Sequence, residues 1–222
     1  MSIDMLVNLL AKGLWQTVYM VFVSGLIGTA IGLPIGVFLA TSGKGELFAA
    51  PGWNRVIGLI VNATRSTPFI ILVVAIIPFT RIIAGTSIGT RAAIVPLTIA
   101  TIPFVARLIE GAIREVDKGL VEAARAMGAT PLQIVTKVLL AEAMPSIALG
   151  ITLTIVSLIG YSAMVGAVGG GGLGDLGIRY GYQRFMPEVM LAVVVVLIVL
   201  VQAVQSAGDA LARRFDKRNR KS

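Results

Sequence analysis

The chain has 222 residues, 56% hydrophobic and only 14% charged, with a formal net charge of +8 and a mean hydropathy of +0.91. Soluble domains carry close to a quarter charged residues, and disordered chains are polar and charge-rich, so both classes are excluded. Cysteine and histidine are absent, which removes disulfides, thiolate chemistry and the commonest metal ligand and general base, and with them a metalloenzyme or a Ser–His hydrolase.

What remains is an all-α membrane protein, because a helix needs about 20 apolar residues to cross the hydrocarbon core and the chain is built of such runs. Five spans are expected, at about 14–40, 57–80, 91–113, 146–167 and 189–210, in one transmembrane domain covering 13–210. The first run carries no charge from Gly13 to Gly43. It is longer than a signal-peptide core, and Asp4 precedes it with only one lysine, so it is expected to stay in the membrane. Gly28, Gly32 and Gly36 form two overlapping G-x-x-x-G units, a smooth face for a helix of this chain or another.

The next two runs, Ser66–Thr80 and Ala92–Ala106, hold 15 residues each between charges. Such a helix rises only about 22 Å. The second span is therefore extended back past Arg65 and the third forward past Arg107 to Ile113. Arg65 inside a span is expected to snorkel to a helix end, to pair, or to line an aqueous vestibule. Ser66 and Thr67 can satisfy backbone groups that Pro68 frees.

The segment 115–145 is charged yet reads as helical. Asp117 is placed to cap a helix in which Leu120, Val121, Ala124 and Met127 recur at helical spacing. Gly128 is placed to end it in the left-handed conformation. Thr130, Pro131 and Gln133 then read as a capping box that starts a second helix. Small side chains at Ala123 and Ala124, with Glu122 and Arg125 at the rim, suit a short helix seated in the groove of a partner; a solvated amphipathic linker is the other reading.

After the fourth span, Gly166 to Gly177 contains seven glycines. Gly169, Gly171 and Gly174 fit G-x-G-x-x-G, but a dinucleotide site needs a preceding strand, and here a membrane helix precedes. A tight re-entry with close backbone packing, or a flexible loop, is expected instead. The fifth span leads into a basic tail, 211–222, which follows the membrane directly without aromatic interleaving and so reads as an anchor beside anionic lipid, not a nucleic-acid site. With this tail in the cytoplasm, the inner segments hold 13 of the 19 basic residues and the outer segments five. The positive-inside bias then predicts an N-terminus outside and a C-terminus inside.

Two sets of residues carry a resemblance. Glu122-Ala123-Ala124, three residues, then Gly128 resembles the coupling motif of bacterial binding-protein-dependent ABC importer permeases. Its usual Ile-x-Leu-Pro ending is replaced here by Val138-Leu139-Leu140-Ala141, with a proline at 145 instead. NATRSTPFIIL at 62–72, IPFTRIIAGTSIG at 77–89 and GYSAMVGAVGGGGLGDLGIRYGY at 160–182 are similar to the permease subunits of methionine importers.

The resemblance implies a type I importer fold in the bacterial inner membrane and a homodimer of permeases. It also implies two separate ATPase subunits gripping Glu122, Ala123, Ala124, Arg125 and Gly128, and a methionine-binding lipoprotein outside. No cofactor, metal or catalytic residue is implied. The chain has no G-x-x-x-x-G-K-[ST], so ATP hydrolysis is expected on the partner. For a zwitterion with a thioether tail, Tyr161 and Ser162 are candidates for the polar end and Met164 for the tail or a gate, with Arg65 near the vestibule. A permease for another amino acid fits the same pattern. A stand-alone secondary transporter would carry acidic groups within the spans, and a membrane enzyme would need a paired carboxylate; neither is found at a span midpoint.

Overall fold

A computed structural model describes residues 3–215, which form α1 (Ile3–Thr41), α2 (Pro51–Ser66), α3 (Phe69–Ala75), α4 (Ile77–Ala84), α5 (Thr90–Arg114) and α6 (Lys118–Ala126). They continue as a single turn α7 (Pro131–Gln133), a π-helical stretch Ile134–Leu139, α8 (Leu140–Ala167), α9 (Gly172–Leu176), a second π-helical stretch Gly177–Tyr182, and α10 (Pro187–Phe215). No strand occurs among the described residues. Lys217, Arg218, Arg220 and Lys221 of the expected basic tail lie outside them, while residues 211–215 belong to α10.

Four helical runs are long and apolar enough to cross a membrane: α1, α5, the continuous run Pro131–Ala167, and α10. A fifth is reached only by counting the bent pair α2–α3 as one broken span. The chain bends by 102° between α2 and α3, and α4 follows as a separate helix, so the single helix expected over 57–80 is corrected to three pieces. Pro68 is the physical cause. Its ring drives Thr67 to an extended conformation (φ −82°, ψ 124°), and it has no N–H to continue the ladder. Thr67 closes the open end twice over, its N–H donating to the Thr64 carbonyl at 3.3 Å and its hydroxyl to the Ala63 carbonyl at 3.2 Å. The Ser66 hydroxyl donates to the Asn62 carbonyl in the same manner.

The α1–α5 pair forms the spine. The three spaced glycines of α1 face α5 of the same chain, which decides the question their spacing left open. A Cβ at Gly28 would stand 2.4 Å from the Thr101 methyl, and one at Gly36 would stand 2.5 Å from the Ala106 carbonyl oxygen. Glycine is therefore what lets the two helix axes come this close. Around the spine lie several apolar clusters, of which two are the most extensive. One joins Met20, Val21, Phe69, Val73, Leu97, Leu158 and Val165. The other joins Ile109, Ala112 and Ile113 of α5 to Ala124 of α6 and to Ile134, Val135 and Leu139. Large apolar side chains on α1 and α10, such as Trp15, Phe22, Leu191 and Ile198, remain exposed, as suits surfaces meeting lipid.

Candidate functional site: the α6 elbow and the α8 face

The α6 elbow stands at one end of the spanning helices and is assembled from local signals. Asp117 Oδ1 accepts from the Gly119 N–H at 2.7 Å, satisfying a free donor of the first turn. At the other end Gly128 takes φ +80°. Its N–H donates to the Arg125 carbonyl at 2.9 Å, and the Ala129 N–H donates to the Ala124 carbonyl at 3.0 Å. These two bonds are the paired closure of a Schellman turn. One residue later the expected capping box is present: the Gln133 N–H donates to Thr130 Oγ1 at 3.4 Å, and the Thr130 N–H to Gln133 Oε1 at 2.9 Å.

Only Ala124 of α6 is buried, in the cluster with Ile113 and Ile134. Its small side chain seats the helix against the bundle, with Val121 half-buried beside it. Glu122, Ala123, Arg125 and Gly128 all face outward. So do three apolar side chains: Leu120, Met127 at 82% exposure and Leu132 at 66%. The spacing of Leu120 and Met127 had placed them on one apolar face with Ala124. Met127 instead falls at the C-cap, where the left-handed turn swings it out of that stripe. An exposed thioether and two leucines thus lie beside Glu122 and Arg125, apolar surface that this chain does not cover. Leu132, within the capping box, carried no sequence pattern pointing to this exposure.

The four candidate pathway residues do not gather into one site. Arg65 is exposed, its guanidinium carbon 5.9 Å from the centroid of the Phe104 ring of α5. Tyr161 is half-buried and stacks on Phe69 of α3, centroids 4.4 Å apart and planes at 17°. Ser162 is buried, and its hydroxyl donates to the Ile159 carbonyl at 2.7 Å. Met164 is exposed, and on the same side of α8 lie exposed Leu149, Leu153 and Gly160. That spacing marks one stripe of a helix.

At the opposite end of α8, Gly169, Gly171 and Gly172 have φ of +87°, +79° and +81°. The chain there hooks back and is pinned on α1, the Gly172 N–H donating to Gln16 Oε1 and the Leu173 N–H to Thr17 Oγ1, both at 2.9 Å. Close backbone packing, one of the two sequence readings, is what forms. A Cβ at Gly174 would lie 2.4 Å from the Ala163 Cα, and one at Gly166 would lie 2.4 Å from the Asp175 nitrogen.

A charged cluster lies on α5, near the end that leads to the elbow. Glu110 is 4% exposed and meets Arg107 at 2.5 Å and Arg114 at 2.8 Å. Arg107 also donates to the Gly58 carbonyl of α2 at 3.0 Å. Pairing at i,i+3 and i,i+4 is legible in a helix; a bond to a residue 49 positions away is not.

This geometry has close relatives. A family model for the binding-protein-dependent transport system inner membrane component matches residues 32–221. A probable D-methionine transport system permease protein MetI of Vibrio cholerae is 59% identical over 211 residues, 95% of this chain and 94% of that protein. The D-methionine transport system permease protein MetI of Escherichia coli K12 is 55% identical over 158 residues, 71% of this chain and 73% of that protein. Among solved structures, a chain of the MetNI methionine ABC transporter in its inward-facing conformations is similar at a TM-score of 0.95 and 52% identity, covering 98% of this chain and 100% of that one. The chain thus belongs to the family of binding-protein-dependent transport system inner membrane components, and its fold is that of a type I ABC importer permease.

Proposed function

We propose that two copies of this chain form the membrane pathway of an ATP-driven methionine importer. Two separate ATPase subunits grip the α6 elbows, and a methionine-binding lipoprotein delivers substrate at the glycine-hook end. The observation that carries the reading is the α6 elbow itself. It is a helix of nine residues capped at both ends by its own side chains and backbone. It is seated by one alanine, and its remaining surface is uncovered. Closure of an ATPase dimer would draw two such rigid elbows together and rock the helices behind them. The 59% identity to a D-methionine permease supports methionine as the substrate.

In this reading Glu122, Ala123, Ala124, Arg125 and Gly128 form the ATPase contact, joined by Leu120, Met127 and Leu132. The pathway runs along the exposed α8 stripe, where Met164 meets the thioether tail and Tyr161, held by Phe69, lies beside it. Ser162 reaches substrate only in a conformation that frees its hydroxyl from Ile159. Arg65 lies nearer the inner vestibule. The N-terminus faces outward and the C-terminus the cytoplasm, which the bias of lysine and arginine supports.

Reconstitution with the ATPase and the binding protein in liposomes tests the assignment: ATP-dependent uptake of labelled methionine is expected. Uptake of another amino acid with none of methionine overturns it. The absence of native cysteine makes orientation testable in the same preparation. A Gly45→Cys variant should react with an impermeant maleimide only from the cytoplasmic side, and a Thr86→Cys variant only from outside.

A further inference from the structure

We propose that Arg107 and Glu110 form a latch that transmits movement of the α6 elbow to α2, and so to the broken second span. This inference rests on the reading of α6 as the ATPase contact. Neither residue touches substrate or nucleotide in that reading; both are positioning residues.

The end of α5 nearest the elbow has two working faces. One carries Ile109, Ala112 and Ile113, packed with Ala124 of α6 and with Ile134 and Val135. The other meets α2, where the apolar contact is thin. Val61 is the one buried side chain of α2, and it packs in a small cluster with Ala106 and Leu39. Ile57 packs beside it, half-buried. Across the same seam the Arg107 guanidinium donates to the Gly58 carbonyl at 3.0 Å, and the Arg65 guanidinium lies over the Phe104 ring. Arg107 thus supplies the directional link by which movement of α5 reaches the α2 backbone.

Glu110 fixes how Arg107 holds it. Its carboxylate, almost fully buried, takes Nη1 of Arg107 on one oxygen and Nη2 of Arg114 on the other. With Nη1 occupied, Nη2 of Arg107 is aimed at Gly58. The planar fork of an arginine makes this two-way grip; a lysine ammonium, a point charge on a flexible stem, does not. A buried ion pair is weak support for stability, since apolar side chains of similar volume serve as well. Its presence beside a membrane span calls for another use. Nε of Arg107 is buried with no hydrogen-bond partner. The cluster thus keeps one unspent donor, which a shift of α2 along α5 can bring to a new acceptor. In the latch this donor serves the second arrangement that a coupling element requires.

The test uses the full transporter, reconstituted with its ATPase and binding protein. Arg107→Lys keeps the charge opposite Glu110 but loses the fork; Glu110→Gln loses the charge that orients it. Three quantities are read on each: ATPase co-purification, ATP hydrolysis, and methionine taken up per ATP hydrolysed. The latch predicts normal co-purification and continued hydrolysis, with uptake per ATP lowered roughly two- to thirty-fold. Unchanged uptake per ATP in Arg107→Lys overturns the latch, and it does so even where Glu110→Gln fails to assemble. Loss of co-purification in Arg107→Lys also overturns it, by moving the residue's role to docking. Failure of the α6 reading would show separately, as normal ATPase retention by variants in the elbow itself.

Discussion

The two ends of the bundle solve opposite problems with the same residue type. In the elbow, Gly128 meets nothing within 4 Å where a Cβ would stand, and it serves only to let the backbone turn at φ +80°. In the glycine hook, Gly174 and Gly166 serve because other backbone already occupies the place of a side chain. The elbow is stabilised by neighbours in sequence: Asp117 with Gly119, Thr130 with Gln133. The hook is stabilised by Gln16 and Thr17, 156 residues away. A locally capped element keeps its shape without contributing its outer surface to the fold, so that surface stays free for a partner. An element pinned from afar closes its own end.

If that contrast holds, the largest effect belongs to the hook. Gly174→Val drives two methyl groups into the α8 backbone at Ala163. It should destabilise the protein by about 3 kcal/mol, read as a lower unfolding temperature in detergent. Gly128→Val meets no wall, and only the left-handed backbone is strained, by about 1–2 kcal/mol. Its unfolding temperature should fall less, while the ATPase dissociates during co-purification because the turn that orients α6 has changed. Glu122→Lys should leave unfolding within about 0.5 kcal/mol of the parent, as an exposed substitution does. It should still weaken ATPase retention, and more so at low salt, where surface charges are least screened. A Gly174→Val protein as stable as the parent would end the distinction from one side. An ATPase held normally by both elbow variants would end it from the other.

Much of this was legible in the sequence, and what was not has a common cause. The third span was expected at 91–113, and the helix there runs Thr90–Arg114. The caps at Asp117, Gly128 and Thr130 stand where those residue types predicted, because capping is settled within a few neighbouring residues. The second span was misread because apolarity says that a segment belongs in lipid and not that it is one helix. Pro68 was visible, but its 102° consequence was not. The helix that carries the first span already includes Ile3, since a helix is not bounded by its hydrophobic run. Among site residues, the elbow was found as a motif, while Arg65, Tyr161, Ser162 and Met164 do not converge. Their proximity depends on how α2, α3 and α8 are stacked, and Ser162 turns its hydroxyl to its own backbone. Leu132 became visible only through its exposure, and the role of Glu110 only through the bond from Arg107 to Gly58.

The crease after Ser66 has a consequence for leak-tightness. An interrupted helix in oil leaves carbonyl oxygens that ordinarily invite water to follow them inward. Thr67 answers that invitation with its own hydroxyl and amide, and Ser66 adds another hydroxyl one position earlier. At the fold line the carbonyls of Ala63 and Thr64 are therefore met from within the chain, and water is not needed in those two places.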